Sequence, residues 1–195
     1  MSIFHADKRD MNLNARQLKK TGLIPGNIYG GDLDQSLLIH MQQNEVRQLL
    51  RSKTTGNKLT LSVDGRKYSV IIKEIGRSPV SGQIEHLSFQ ALVNSRMVTS
   101  AARIVLLNRE KVSNFVQQRL FEIPYRAFPS NLVEEIEIDL EGMPLDTYVR
   151  VQDLDIAKNE DIELLVEPDD LVLSIVGSRK PVAENENEEE QTESA

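Results

Sequence analysis

The sequence predicts a mainly β protein with short helices (α+β), in which a small antiparallel β-barrel is followed by a second β-rich domain. Apolar and polar residues alternate with a period of two in several short runs, as they do in half-buried strands. Asp64-Gly65 lies between two such runs and is typical of a tight hairpin turn. Proline and glycine separate the runs at short intervals, which favours short strands over long helices.

Two short helices are predicted in the first part of the chain. The first begins after Asn14, which has Gln17 at the spacing of a capping box, and Gly22 supplies its C-terminal stop. The second covers 43–52, where apolar residues recur on one side of a helix. The first helix places three cations on one exposed face: Arg16, Lys19 and Lys20.

Three strands of the predicted barrel follow from the alternation alone. Residues 58–63 and 67–73 flank the Asp64-Gly65 turn, and 86–91 repeat the pattern. The outward residues of these runs are Lys, Ser, Thr, Gln and His rather than carboxylates. The last run places Leu87, Phe89 and Ala91 on the core face and His86, Ser88 and Gln90 on the outward face.

The rest of the chain reads as a second β-rich domain followed by a tail. The predicted domains are 1–92 and 93–180, and 181–195 has too few apolar residues to fold, so it is expected to be disordered. Strands of the second domain are expected at 103–107, 116–124, 134–140, 147–151 and 171–176.

Charge is distributed unevenly along these segments. The formal net charge is -7, but residues 1–92 carry 13 Lys and Arg against 8 Asp and Glu. Residues 93–180 carry 10 basic and 16 acidic residues, and the tail has six Glu and no cation. Such asymmetry predicts separate domains with separate surfaces, of which only the first suits an anionic partner.

Several classes of function find no support in the sequence. There is no Cys, which excludes disulfides, thiolate metal sites and a thiol nucleophile. No Walker A loop or G-x-S-x-G motif is present, and the acidic stretch 153–163 lacks the glycine and glutamate of a calcium loop. The apolar runs are too short to span a membrane, and no signal peptide is evident. The sequence therefore predicts a cytoplasmic protein that is not an enzyme and has no cofactor and no metal site.

Basic residues near the N-terminus are the most informative feature. Guanidinium and ammonium groups at this density suit phosphate oxygens. Tyr29 precedes Gly30-Gly31, where small residues allow a close backbone approach and an exposed ring can pack against a sugar or base. Alternatively, Tyr29 is a core ring with an exposed hydroxyl. The cations are Arg9, Arg16, Lys19 and Lys20.

The order of these residues resembles a known family. Arg9, the segment 16–22 and the run I-P-G-N-I-Y-G-G at 24–31 resemble the pattern R…R-x-L-R-x-x-G-x-I-P-x-x-x-Y-G. Residues 75–79 and 84–89 resemble V-Q-R-D-P…H-V-D-F. These are motifs of the bacterial large-subunit ribosomal protein bL25 family, and the downstream strands resemble its long two-domain form, the general stress protein Ctc type.

The resemblance implies a structural component of the large ribosomal subunit. Its basic β-barrel domain would bind 5S ribosomal RNA, with large-subunit proteins as further partners and with no membrane or small-molecule substrate. For Arg77 the alternative is a structural hydrogen-bond donor beside the turn at Pro79. The resemblance implies nine RNA-binding residues: Arg9, Arg16, Lys19, Lys20, Tyr29, Arg77, His86, Ser88 and Gln90.

The chain also departs from the family pattern. Residues 11–14 replace a Gly-Lys-Gly stretch, with Asn12 in place of a cation. Gly76 replaces Gln, and Ser88 replaces an Asp. Because the second domain is acidic, a second hypothesis is a stress-associated protein-binding module whose RNA binding is weak or lost.

Overall fold

The first part of the chain forms a closed six-stranded barrel. The computed structural model describes residues 3–10, 13–112 and 114–177, so the predicted tail and Asn12 lie outside the described residues. The barrel strands are β1 (Ile3–Lys8), β2 (Leu23–Tyr29), β3 (Leu37–Gln42), β4 (Lys58–Val63), β5 (Arg66–Arg77) and β6 (Ile84–Ala91).

The strand order around the barrel is β1-β3-β2-β6-β5-β4. This confirms the predicted barrel, and four of its six pairings are antiparallel. The pairings of β1 with β4 and of β2 with β6 are parallel. These two pairings join strands that are distant along the chain, so no hairpin turn in the sequence reports them.

Local signals predicted the turn and the first helix correctly. Asp64 and Gly65 have φ of 47° and 82°, as a tight hairpin turn requires. Helix α1 (Ala15–Lys20) has a complete capping box. Asn14 Oδ1 accepts from the Gln17 amide at 2.9 Å, and Gln17 Oε1 accepts from the Asn14 amide at 3.0 Å.

The barrel core is filled by the inward residues of all six strands and by one face of α2 (Gln43–Ser52). Val46 and Leu49 of α2 are fully buried within it. Burial of each such side chain contributes about 1.5–3 kcal/mol. The alternation predicted for β6 is confirmed, since three of its apolar residues belong to this core: Leu87, Phe89 and Ala91.

The second part of the chain has its own core and two small sheets, with strand orders β10-β7-β9-β12 and β11-β13-β8. No helix in the described ranges is long and apolar enough to cross a membrane. The strands are β7 (Val98–Leu107), β8 (Phe115–Gln118), β9 (Glu122–Ala127), β10 (Glu135–Asp139), β11 (Thr147–Arg150), β12 (Ile162–Leu164) and β13 (Leu171–Val176).

Two sequence expectations for this part were wrong in detail. The strand expected at 116–124 is two strands in different sheets, β8 and β9. The chain turns between them because the amides of Arg119 and Leu120 both donate to the Val172 carbonyl, at 2.8 and 3.2 Å. β12 was not expected, because three residues are too few to show a period.

The two parts touch through polar contacts from the barrel. Lys53 Nζ lies 2.7 Å from Glu134 Oε2, and Ser100 Oγ donates to the Gly56 carbonyl at 2.8 Å. A bulge in β5 leaves Lys73 out of register, and its Nζ donates to the Thr99 carbonyl at 2.8 Å. Burial lowers the pKa of Lys73. The boundary predicted between 92 and 93 falls in the segment that joins β6 to β7.

Candidate nucleic-acid interface

The outward sides of β2 and β6 form a continuous polar face, which we call the sheet face: Asn27, Tyr29, His86, Ser88 and Gln90. The two strands are parallel neighbours, with Asn27 opposite Ser88 and Tyr29 opposite Gln90. Inward neighbours on both strands, such as Ile28 and Phe89, are fully buried. Four of the nine predicted residues are therefore brought together by one strand pairing.

Ser88 acts within the sheet face rather than as a free group. Its side chain is only 9% exposed, and its hydroxyl donates to Asn27 Oδ1 at 3.0 Å. This bond orients the Asn27 amide, whose nitrogen remains a donor. Sequence reasoning missed Asn27, although its position two residues before Tyr29 on the same strand would have placed it on the same face.

Tyr29 lies on the sheet face and is not part of the barrel core, so it is not the core ring of the alternative interpretation. It is half-buried, and the following turn requires positive φ at Gly30 (73°) and Gly31 (64°). A Cβ on Gly31 would lie 2.9 Å from Ala91 Cβ, so this turn packs closely on the end of β6. Burial, followed by the charge of Glu74, raises the pKa of Tyr29.

We expect the Tyr29 phenol to stay protonated up to pH 10 and to ionise only above that value. Burial and Glu74 both disfavour the phenolate. Because the native state holds this proton more tightly than the unfolded chain, the contribution to stability is complete below pH 10 and is lost as pH rises through the native pKa. An ultraviolet difference titration of the wild type against Tyr29→Phe measures this ionisation, and Glu74→Gln should lower the pKa. Ionisation below pH 10 would contradict the assignment.

His86 is half-buried at the other end of the sheet face. It lies opposite Gly76 on β5, and a Cβ on Gly76 would be 3.5 Å from His86 Cβ. The departure from the family pattern at Gly76 therefore leaves the position beside His86 without a side chain. Carboxylates do border this face, contrary to the expectation from sequence, since Glu74 lies opposite Ser88 and Glu85 is exposed beside His86.

Helix α1 brings exposed cations to the edge of the same face. Lys19 Nζ forms an ion pair with Glu85 Oε1 at 2.9 Å, and both side chains are exposed. Exposed pairs of this kind contribute little, so a phosphate can replace the carboxylate. Lys20 is also exposed, whereas the side chain of Arg16 lies outside the described residues.

Arg9 follows β1 and lies on the β3 side of the sheet face. Its amide donates to the Leu38 carbonyl at 2.9 Å, and Leu38 pairs with Asn27. The guanidinium Nη2 donates to the Leu13 carbonyl at 2.9 Å, which ties the side chain to the segment before α1. Its buried Nε has no hydrogen-bond partner within the described chain.

Arg77 lies apart from the sheet face. It is exposed at the end of β5 opposite Ile84, and it lines clefts together with Arg47 and Arg51 of α2. No hydrogen bond of its side chain is present in the described part of the chain, so neither the proposed RNA contact on the sheet nor a structural donor role is supported there.

Two family models match the chain in order along its length. Residues 4–89 match the Ribosomal L25p family, and residues 98–179 match the C-terminal domain of ribosomal protein TL5. The chain belongs to the bL25 family, in its long two-domain form. The first match ends within β6, so it contains every sheet-face residue except Gln90, and the second covers the two small sheets.

Relatives within this family match over most of the chain. A large ribosomal subunit protein bL25 of Thermoanaerobacter sp. (strain X514) is 29% identical over 179 residues, covering 90% of this chain and 88% of that protein. The protein of the same name from Finegoldia magna is 29% identical over 187 residues, covering 93% and 88%. That from Geobacillus thermodenitrificans is 29% identical over 173 residues, covering 87% and 80%. Both domains are therefore shared with these relatives.

Proposed function

We propose that this protein is a non-catalytic structural component of the large ribosomal subunit and binds 5S ribosomal RNA through its barrel. The observation that carries the proposal is the sheet face, a polar surface of two strands bordered by the cations of α1. Family membership supports it, since the relatives are named as large ribosomal subunit proteins. The resemblance of the N-terminal motifs supplies the finer identity of the RNA.

The chemistry of the sheet face suits the wide minor groove of double-stranded RNA. This groove presents 2′-hydroxyls and base edges, which neutral donors and acceptors can read. Asn27, Tyr29, His86 and Gln90 supply such groups, and Tyr29 remains a donor because its pKa is raised. Lys19, Lys20 and Arg9 would hold phosphates beside the groove, which fixes the orientation of the protein.

The acidic second domain favours a protein partner over RNA. A groove of about 520 Å³ lies between the two edge strands β10 and β12, and it is lined by Glu135, Glu137 and Asp155 together with Ile136 and Ile162. Carboxylates repel the RNA backbone, whereas apolar and acidic groups together suit a basic protein segment. This domain is therefore proposed to face a large-subunit protein, and a stress-associated protein-binding module remains the second candidate function.

Filter binding of the full chain to 5S ribosomal RNA over a salt series tests the proposal. We expect saturable binding that weakens steeply with salt, because phosphate contacts release counterions. Co-sedimentation with large subunits separates the two candidates. A protein that is absent from large subunits at physiological salt, and that binds 5S RNA no better than an unrelated RNA, would favour the protein-binding module.

A further inference from the structure

A second cationic surface lies at the end of the barrel closed by α2, away from the sheet face. It consists of two adjoining clefts that share Arg77. One cleft is lined by Arg77, Arg47 and Gln83, and the other by Arg77, Arg51 and Thr54. The second cleft also reaches Arg103 and Glu135 of the second domain, so the surface extends to the junction of the two domains. We call Arg47, Arg51 and Arg77 the junction arginines.

The charges of the junction arginines are not balanced by the protein. All three side chains are exposed, and none takes part in an ion pair formed within the described chain. Arg47 and Arg51 are four residues apart on α2, so they point from the same side of the helix one turn apart. Arg77 faces both of them from the end of β5.

The neighbouring cations differ, because acidic residues of the second domain already neutralise them. Lys53 pairs with Glu134 at 2.7 Å, and Arg103 pairs with Glu135 at 2.8 Å. The acidic domain thus removes the charge of its nearest cations and leaves that of the junction arginines. An uncompensated surplus of three guanidinium groups in a polar cleft attracts an oxyanion.

The geometry points to a second anion-binding surface, at which the junction arginines hold phosphate groups of an RNA backbone. Guanidinium groups bind phosphate with two parallel hydrogen bonds, and a lining with few apolar residues suits a backbone better than a peptide. This surface goes beyond the sheet face, and it rests on the proposed function only for the identity of the anion. It would let the protein contact RNA on the α2 side as well as through the sheet.

The test compares full-length variants in binding to 5S ribosomal RNA and to a mixed-sequence RNA duplex. The variant Arg51→Gln with Arg77→Gln removes two junction charges. Arg109→Gln with Arg119→Gln is the matched control, since both arginines are exposed in the second domain and form no ion pair in its described part. A third variant, Arg51→Lys with Arg77→Lys, keeps the charge but loses the paired hydrogen bonds.

We expect the junction variant to bind both RNAs about tenfold more weakly at physiological salt, and to lower the slope of log affinity against log salt by about 2. The lysine variant should recover the slope, the control should match the wild type, and thermal midpoints should be unchanged. An equal loss in the control, or no loss in the junction variant, would overturn the inference.

Two further results separate the sources of failure. If the wild type binds 5S RNA no better than the duplex while the junction variant still weakens duplex binding, the inference stands and the 5S proposal fails. If inorganic phosphate protects Arg51 and Arg77 side-chain NMR signals but neither RNA does, the surface holds a free anion and the RNA assignment is overturned.

Discussion

Replacing Tyr29 by Phe together with His86 by Ala is expected to weaken 5S ribosomal RNA binding about thirty- to a hundredfold. The two side chains stand at opposite ends of the sheet face, one beside Gln90 and the other beside Gly76. Each is proposed to make one hydrogen bond to the RNA minor groove, worth about 1–1.5 kcal/mol. At 1.4 kcal/mol per tenfold change, the loss of both gives the expected factor. Filter binding with the full chain measures it.

The salt dependence distinguishes this variant from loss of phosphate contacts. Neutral hydrogen bonds release no counterions, so the affinity should fall while the slope against salt stays the same. His5→Ala with Tyr148→Phe is the matched control, because His5 is exposed on β1 and Tyr148 is exposed in the second domain. Equal weakening in the control variant would show that the sheet face does not carry recognition.

Replacing Gly56 by Ala is expected to lower the free energy of unfolding by about 3 kcal/mol and to open the contact between the two domains. Gly56 has a φ of 87°, and a Cβ there would lie 2.5 Å from the Ala101 carbonyl oxygen and 2.9 Å from Ser100 Oγ. The left-handed backbone alone costs a side chain about 1–2 kcal/mol. The clash also displaces the hydrogen bond from Ser100 to the Gly56 carbonyl, worth about 1 kcal/mol.

The chain offers a control for the backbone cost in Gly65→Ala. Gly65 has a similar φ of 82°, but a Cβ there would have no atom within 4 Å. This variant should cost only about 1–2 kcal/mol, so the difference between the two denaturant curves reports the clash. If both variants lost the same stability, the close approach of the second domain at Gly56 would be refuted.

Features that depend on neighbouring residues were predictable from the sequence. The capping box at Asn14 and the hairpin at Asp64-Gly65 each need only a few adjacent residues, and both are present as expected. The outward position of His86 and Gln90 follows from the alternation within one strand. The motif order of the family added Arg9 and Tyr29 to the candidate site, which composition and charge could not have singled out.

Contacts between distant segments were decided only by the tertiary structure. The parallel pairing of β2 with β6 places Asn27 against Ser88 and Tyr29 against Gln90, although about sixty residues separate the partners in the chain. No local signal reports such a pairing, because its energy comes from closing the barrel around a shared core. The same closure places Arg77 beside α2 rather than on the sheet face.

The sequence by itself determined the elements, the basic and acidic division of the chain and the family. The tertiary structure decided which charges remain available. Glu134 and Glu135 neutralise Lys53 and Arg103 across the domain junction, while the junction arginines keep their charge. Counting charges along the chain cannot separate these cases, because the electrostatic effect of a charge depends on its distance from other charges in space.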